Sequence, residues 1–304
     1  MSREMPLATV PAGKPDGGIE PVKGRSLWVD AWNVLRRNRA AVVAGGLILF
    51  MGVAVIVGPW LSPWAYDHTD WANTSIGPDW ESRHYFGTDA LGRDLFVRTL
   101  YGGRISLMIG VVATLVSLLI GISWGATAGY LGGRVDHVMM RIVDILYAMP
   151  FMFFVILLMV FFGRNIILIF VAIGAINWLD MARIVRGQTL SLKHKEFVEA
   201  AEAQGVATFN ILRRHIVPNL LGVVVVYVTL TIPQVILVES FLSFLGLGVQ
   251  EPMTSWGALV NEGAQEMGTA PWMLVFPAVF LALTLFCFNF VGDGLRDALD
   301  PKDR

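Results

Sequence analysis

The chain has 304 residues, of which 55% are hydrophobic and 15% charged; the formal net charge is -1 and the mean hydropathy +0.61. Soluble globular domains carry roughly 25% charged residues, so this composition excludes an ordinary soluble enzyme, and the balanced charge gives no footing for nucleic-acid binding. The single cysteine, Cys287, sits in an apolar run and permits neither an internal disulfide nor a cysteine metal site.

Residues 1–39 read as a cytoplasmic N-terminal tail. Met1–Gly24 is rich in Pro and Gly and lacks the roughly 7–15-residue apolar stretch of a cleavable signal, so it belongs in water. The first uncharged run, Ala40–Tyr66, supplies a transmembrane helix over 40–61, because crossing the hydrocarbon core takes roughly 20 apolar residues. A loop over 62–104 follows. Within it Thr88 or Asp89 can cap a short helix, and Asp94 and Arg98 stand at i, i+4 spacing for pairing. Leu91, Leu95 and Phe96 would let that helix lie on the membrane surface.

Five further runs fill 105–292: Ile105–Gly133, Ile145–Gly163, Asn165–Leu179, Ile216–Val238 and Met267–Gly292. Small Gly121, Gly125, Ala126 and Gly129 in the first of these favour close helix packing. Pro150, Pro233 and Pro277 permit kinks. The run ending at Leu179 is marginal, because Asp180 and Arg183 interrupt it. A central Asp costs about 2.5–3.5 kcal/mol on insertion scales, and each Leu or Ile returns only about 0.3–0.6. The apolar segment 166–171 can offset one such group near a helix end, and Asp180 and Arg183, three apart, can partner each other. The expectation is an all-α integral membrane protein with six transmembrane helices.

Lys and Arg set the orientation. Arg36, Arg37 and Arg39 precede the first span; Arg183, Arg186, Lys193, Lys195, Arg213 and Arg214 lie between spans four and five; Arg296, Lys302 and Arg304 follow the last. The segment 239–266 has none. The positive-inside rule therefore puts both termini, including the tail 293–304, and the loop 180–218 in the cytoplasm, and 62–104 in the periplasm. Arg83, Arg93, Arg98 and Arg104 dissent, being placed outside.

No G-x-x-x-x-G-K-[ST] phosphate loop occurs, so the chain should bind no ATP itself, and the five histidines form no metal-ligand spacing. The spans also lack the buried charges of ion-coupled carriers, Asp180 apart. A transporter of this kind draws its energy from elsewhere.

The loop 180–218 holds the informative motif. Glu196-Phe197-Val198-Glu199-Ala200-Ala201-Glu202-Ala203-Gln204-Gly205 reads as a short helix, strong in Ala and Glu, ended by a glycine able to adopt positive φ. A second helix, Ala207 to about His215, runs to Pro218. Small Ala200 and Ala201 admit another surface close to the backbone, and Glu199, Arg213 and Arg214 can fix its register through charge-assisted bonds.

Glu199-Ala200-Ala201, three residues, Gly205, then nine residues to His215 and on to Pro218 resembles the EAA loop of ABC importer permeases. Val217-Pro218 stands where that family has Leu-Pro. The segments His84–Asp89, Gly103–Leu107, Glu239–Gly248 with Ser255-Trp256-Gly257, and Gly292–Pro301 are similar to the dipeptide, oligopeptide and nickel group, and from Gly24 onward to its C-type oligopeptide permeases. The resemblance implies a type I importer permease fold in a bacterial inner membrane. It implies these partners: a second, B-type permease, two ATP-binding subunits that hold ATP and Mg, and an external peptide-binding protein. It also makes 196–205 the coupling helix. A peptide exposes amides and terminal charges, so a passage needs polar lining, for which Asn177, Gln234, Glu239 and Ser240, beside Pro233, are the candidates.

Overall fold

The computed structural model describes residues 27–162 and 166–299, and among these every regular element is a helix. Helix α1 is Leu27–Arg37 and α2 is Arg39–Leu61, followed by α3 (Leu95–Leu131), α4 (Gly133–Ala148), α5 (Phe151–Phe162) and α6 (Ile166–Lys193). Beyond them come α7 (Glu196–Ala203), α8 (Thr208–Ile211), a π-helical turn (Leu212–Ile216), α9 (Val217–Phe244), α10 (Trp256–Gln265) and α11 (Trp272–Leu299). Four stretches are long and apolar enough to cross a bilayer: Arg39–Leu61, Leu95–Leu131, Thr208–Phe244 and Trp272–Leu299. The α4–α5 pair, bent by 86° where the chain passes Pro150, makes a fifth if read as one broken span. The expected run Asn165–Leu179 begins outside the described residues, but from Ile166 it is helix.

Several elements differ from the sequence reading, each for a local reason. The segment expected as an N-terminal tail already contains α1, whose Ala31 is buried and whose Leu35 reaches Gly294 of α11. The tail expected at 293–304 is helical as far as Leu299. No helix lies between 62 and 94. This segment folds as turns with two isolated bridges, Asp79 with His84 and Thr88 with Asp94. Asp94, rather than Thr88 or Asp89, is the cap: its Oδ1 accepts the Val97 N–H at 2.8 Å, so α3 starts ten residues before the uncharged run. Leu95 consequently packs inward with Leu259, Ala270 and Met273 instead of lying on the membrane.

Helices α3 and α6 pack most intimately. Gly121, Gly125 and Gly129 recur every fourth residue along one face of α3, and a Cβ there would run into Met181, the Ala182 carbonyl and the Arg186 carbonyl of α6. This is the close backbone approach that small residues allow between membrane helices. Pro233 and Pro277 are accommodated inside α9 and α11.

Candidate functional site

The elbow formed by α7 and the turn after it is built on a buried seam. Val198 and Ala201 of α7 join Ala126, Tyr130, Met181, Val185, Ile211, Ile216 and Leu220 in one apolar cluster, which ties the elbow to α3, α6 and α9. Polar contacts reinforce it. The Tyr130 hydroxyl donates to Glu202 Oε1 at 2.7 Å, and Lys193 Nζ donates to the Tyr130 carbonyl at 2.8 Å. Sequence reasoning missed Tyr130 because its partner lies 72 residues away.

Gly205 closes α7 with φ +73°. The Val206 N–H reaches the Ala201 carbonyl at 3.1 Å and the Gly205 N–H reaches Glu202 at 2.9 Å. These two bonds satisfy the helix's last carbonyls in a Schellman arrangement, with Val206 packed against the seam as its apolar contact. Ala200 is exposed, whereas Ala201 points into the seam, so only one of the two alanines offers a close approach. The uncovered surface carries Glu199, Ala200, Gln204 and Gly205, with Phe197 at one side and Phe209, 69% exposed, at the other. Both phenylalanines went unnoticed in the sequence, where they look like ordinary core residues.

The second loop helix does not end before the membrane. From Thr208 the chain stays helical through Pro218 into α9, so this half of the elbow is a rigid extension of a span. Pro218 has no N–H to give to the preceding turn, and the helix widens just ahead of it: the Val217 N–H bonds to Leu212. Arg213 and Arg214 are exposed on this turn and make no ion pair among the described residues, while His215 faces Phe197 with ring centroids 6.5 Å apart.

The candidate pathway residues do not form one surface. The Asn177 amide donates back to the Ile173 carbonyl at 2.9 Å, Gln234 is exposed on α9, and Pro233 is buried. Glu239 is fully buried rather than open to a passage. It accepts from Ser243 at 2.7 Å and from Ser106 at 3.3 Å, and Ser106 in turn accepts the Trp256 N–H at 3.1 Å. Ser240 Oγ is buried without a partner beside α10, where Gly257 meets the Ser240 backbone. Glu239 thus locks α3, α9 and α10 together.

A second charged cluster lies at the other end of the bundle. Arg93 bonds Asp89 at 2.6 Å and Glu251 at 2.9 Å, and Arg98, entirely buried, reaches Glu262 at 3.2 Å. Arg98 is therefore not the partner of Asp94, which instead meets His84 Nδ1 at 2.8 Å. Burial pushes the Glu262 carboxyl up, against the pull of Arg98 and Arg93. Arg104 donates to the Val55 and Ile56 carbonyls of α2. Three of the four basic residues that dissent from the positive-inside pattern are thus committed to internal partners.

A family profile described as binding-protein-dependent transport system inner membrane component matches residues 117–304, and one described as the N-terminal TM domain of oligopeptide transport permease C matches residues 26–78. The chain belongs to this permease family. It is a multi-pass protein of the bacterial inner membrane and a permease component of an ABC transporter. The oligopeptide transport system permease protein OppC of Escherichia coli K12 is 64% identical over 283 residues, 93% of this chain and 94% of that one. OppC of Haemophilus influenzae is 59% identical over 283 residues, 93% and 91% of the two chains. A solved chain of the MetNI methionine ABC transporter in an inward-facing conformation shares the type I permease fold with TM-score 0.52 at 18% identity. It covers 67% of this chain and 96% of that chain.

Proposed function

We propose that this permease subunit translocates peptides, chiefly oligopeptides, inward across the cytoplasmic membrane, driven by ATP hydrolysed on partner subunits. The observation carrying the reading is the α7 elbow. It is a short helix closed by a left-handed glycine, seated on a seam shared by three long helices, with its outer face uncovered. A push on such an element is delivered to α3, α6 and α9 together, because a packed interior transmits displacement instead of absorbing it. The names of the close relatives supply the cargo.

The full assembly pairs this chain with a B-type permease, two ATP-binding subunits holding ATP and Mg, and an external peptide-binding protein. This chain holds no nucleotide of its own. Six spans with both termini in the cytoplasm complete the arrangement, the sixth being α6 and the fifth the broken α4–α5 pair. Asn177 and Gln234 remain the polar candidates for the passage. Ser240, Pro233 and Glu239 support it from behind.

Affinity purification from mild detergent tests the reading: two nucleotide-binding subunits should come down with the chain. Its recovery without them would contradict it. Sidedness has its own test. A cysteine introduced at Gln204, which is exposed, should react with an impermeant maleimide only in inside-out vesicles. Labelling in intact cells would reverse the topology.

A further inference from the structure

Asp180 looks, in the sequence, like an acidic residue at the end of an apolar run. The structure moves it. Helix α6 continues from Ile166 to Lys193, 28 residues, so Asp180 is near its midpoint and about 20 Å from either end. The two nearest basic residues on the same helix are both already committed. Arg183 pairs with Asp144 at 2.9 Å and lies 4.3 Å over the Tyr147 ring, and Arg186 pairs with Asp136 at 2.5 Å. The expected Asp180–Arg183 partnership is absent. Asp180 makes no hydrogen bond or ion pair among the described residues.

What Asp180 does have is a cavity. A space of about 290 Å³ opens between α4, α5 and α6, walled by Tyr147, Phe154, Ile176 and Leu179, with Asp180 at its edge. That volume falls just short of the roughly 300–1,000 Å³ usual for ligand pockets, enough for one residue of a peptide but not for a whole one. Apolar and aromatic walls around one unpaired carboxylate make a receptor for a cation attached to an apolar body. A carboxylate at this depth, left unpaired by its own subunit, is costly to keep unless something arrives to meet it.

We infer that this cavity is a subsite of the translocation path, in which Asp180 receives the α-ammonium group of a passing peptide while the apolar wall takes its first side chain. The inference rests on the peptide-import reading above. A path that accepts many sequences can recognise only what all peptides share: backbone amides, one terminal carboxylate and one terminal ammonium. Backbone N–H groups can also donate to a carboxylate, but only the ammonium neutralises its charge. Asp180 is then a specificity-determining residue for a free amino terminus, and blocking that terminus removes both the charge and its N–H donors.

The test uses the complete importer reconstituted in vesicles with its binding protein and ATP. The probes are trialanine and N-acetyl-trialanine. The quantity read is the ratio of their import rates, in wild type and in Asp180→Asn; any preference of the binding protein cancels between the two. The ratio should fall about tenfold in Asp180→Asn, the scale of one hydrogen bond to a charged group, and recover in Asp180→Glu. An unchanged ratio overturns the subsite while wild-type import leaves the peptide reading standing. A parallel loss of both probes also overturns it, assigning Asp180 instead to a cationic side chain of the neighbouring permease. If the wild-type assembly imports neither probe, the peptide reading itself has failed.

Discussion

Gly205→Val is expected to leave ATP hydrolysis by the assembled importer running while peptide import falls about 5- to 30-fold. The residue sits at φ +73°, and a Cβ there would touch nothing, so the penalty comes from the backbone and not from a collision. A left-handed conformation costs an ordinary L-residue roughly 1–2 kcal/mol, and more for a β-branched one, which corresponds to about a 5- to 30-fold drop in the population of the closed turn. The seam beneath α7 does not depend on Gly205, so the subunit should still fold and assemble. What is lost is the fixed direction of the loop that carries Gln204, Val206 and Phe209. Gly205→Asn provides the control, since asparagine tolerates the left-handed region, and it should retain most import. The measurement is the ratio of peptide imported to ATP hydrolysed in reconstituted vesicles. A valine variant with the normal ratio would remove the coupling role from this turn.

The elbow was legible because its signals are local. An Ala- and Glu-rich run followed by glycine encodes a helix and its stop within ten residues, and the structure places both there. The long apolar helices were legible for the same reason. Their ends were not. Counting uncharged residues stops at the first charge, yet α3 begins at Leu95 and passes Arg98 and Arg104, and α6 passes Asp180, Arg183 and Arg186. The arginines among them are tolerated because their partners come from far along the chain: Glu262 for Arg98, α2 carbonyls for Arg104, Asp144 and Asp136 for the α6 arginines. Pairing across 39 to 164 residues leaves no trace in a single sequence. The i, i+3 and i, i+4 partnerships that spacing suggested, Asp180 with Arg183 and Asp94 with Arg98, gave way to these longer contacts. The same blindness to helix faces paired Ala200 with Ala201, although α7 turns one outward and the other inward, and it put Glu239 among the lining candidates, although it is buried and bonded to Ser106 and Ser243.

The cluster around Arg98 should show how much of the fold depends on those distant partners. Arg98→Met is expected to destabilise the subunit by about 3–5 kcal/mol, the usual cost of removing one member of a buried ion pair. Methionine fills much of the space, so the loss is electrostatic: Asp89, Glu251 and Glu262 then face Arg93 alone. Neutralising the orphaned acid should repair part of the damage, so Arg98→Met with Glu262→Gln should melt above the single variant. The pH dependence follows from the direction of the Glu262 shift. Burial raises its folded-state pKa above the unfolded value, so the native state holds the proton more tightly. Its contribution is then most favourable below the unfolded pKa and is lost as pH rises through the folded one. Without Arg98 the opposing attraction weakens and the carboxyl moves further up. The variant should therefore lose more stability than wild type as pH rises above the ordinary glutamate range, and the double variant should lose less than the single. Thermal unfolding of the detergent-purified importer across that rise in pH reads both effects. If Arg98→Met melts with the wild type at every pH, the buried cluster is not what holds α3 against α10.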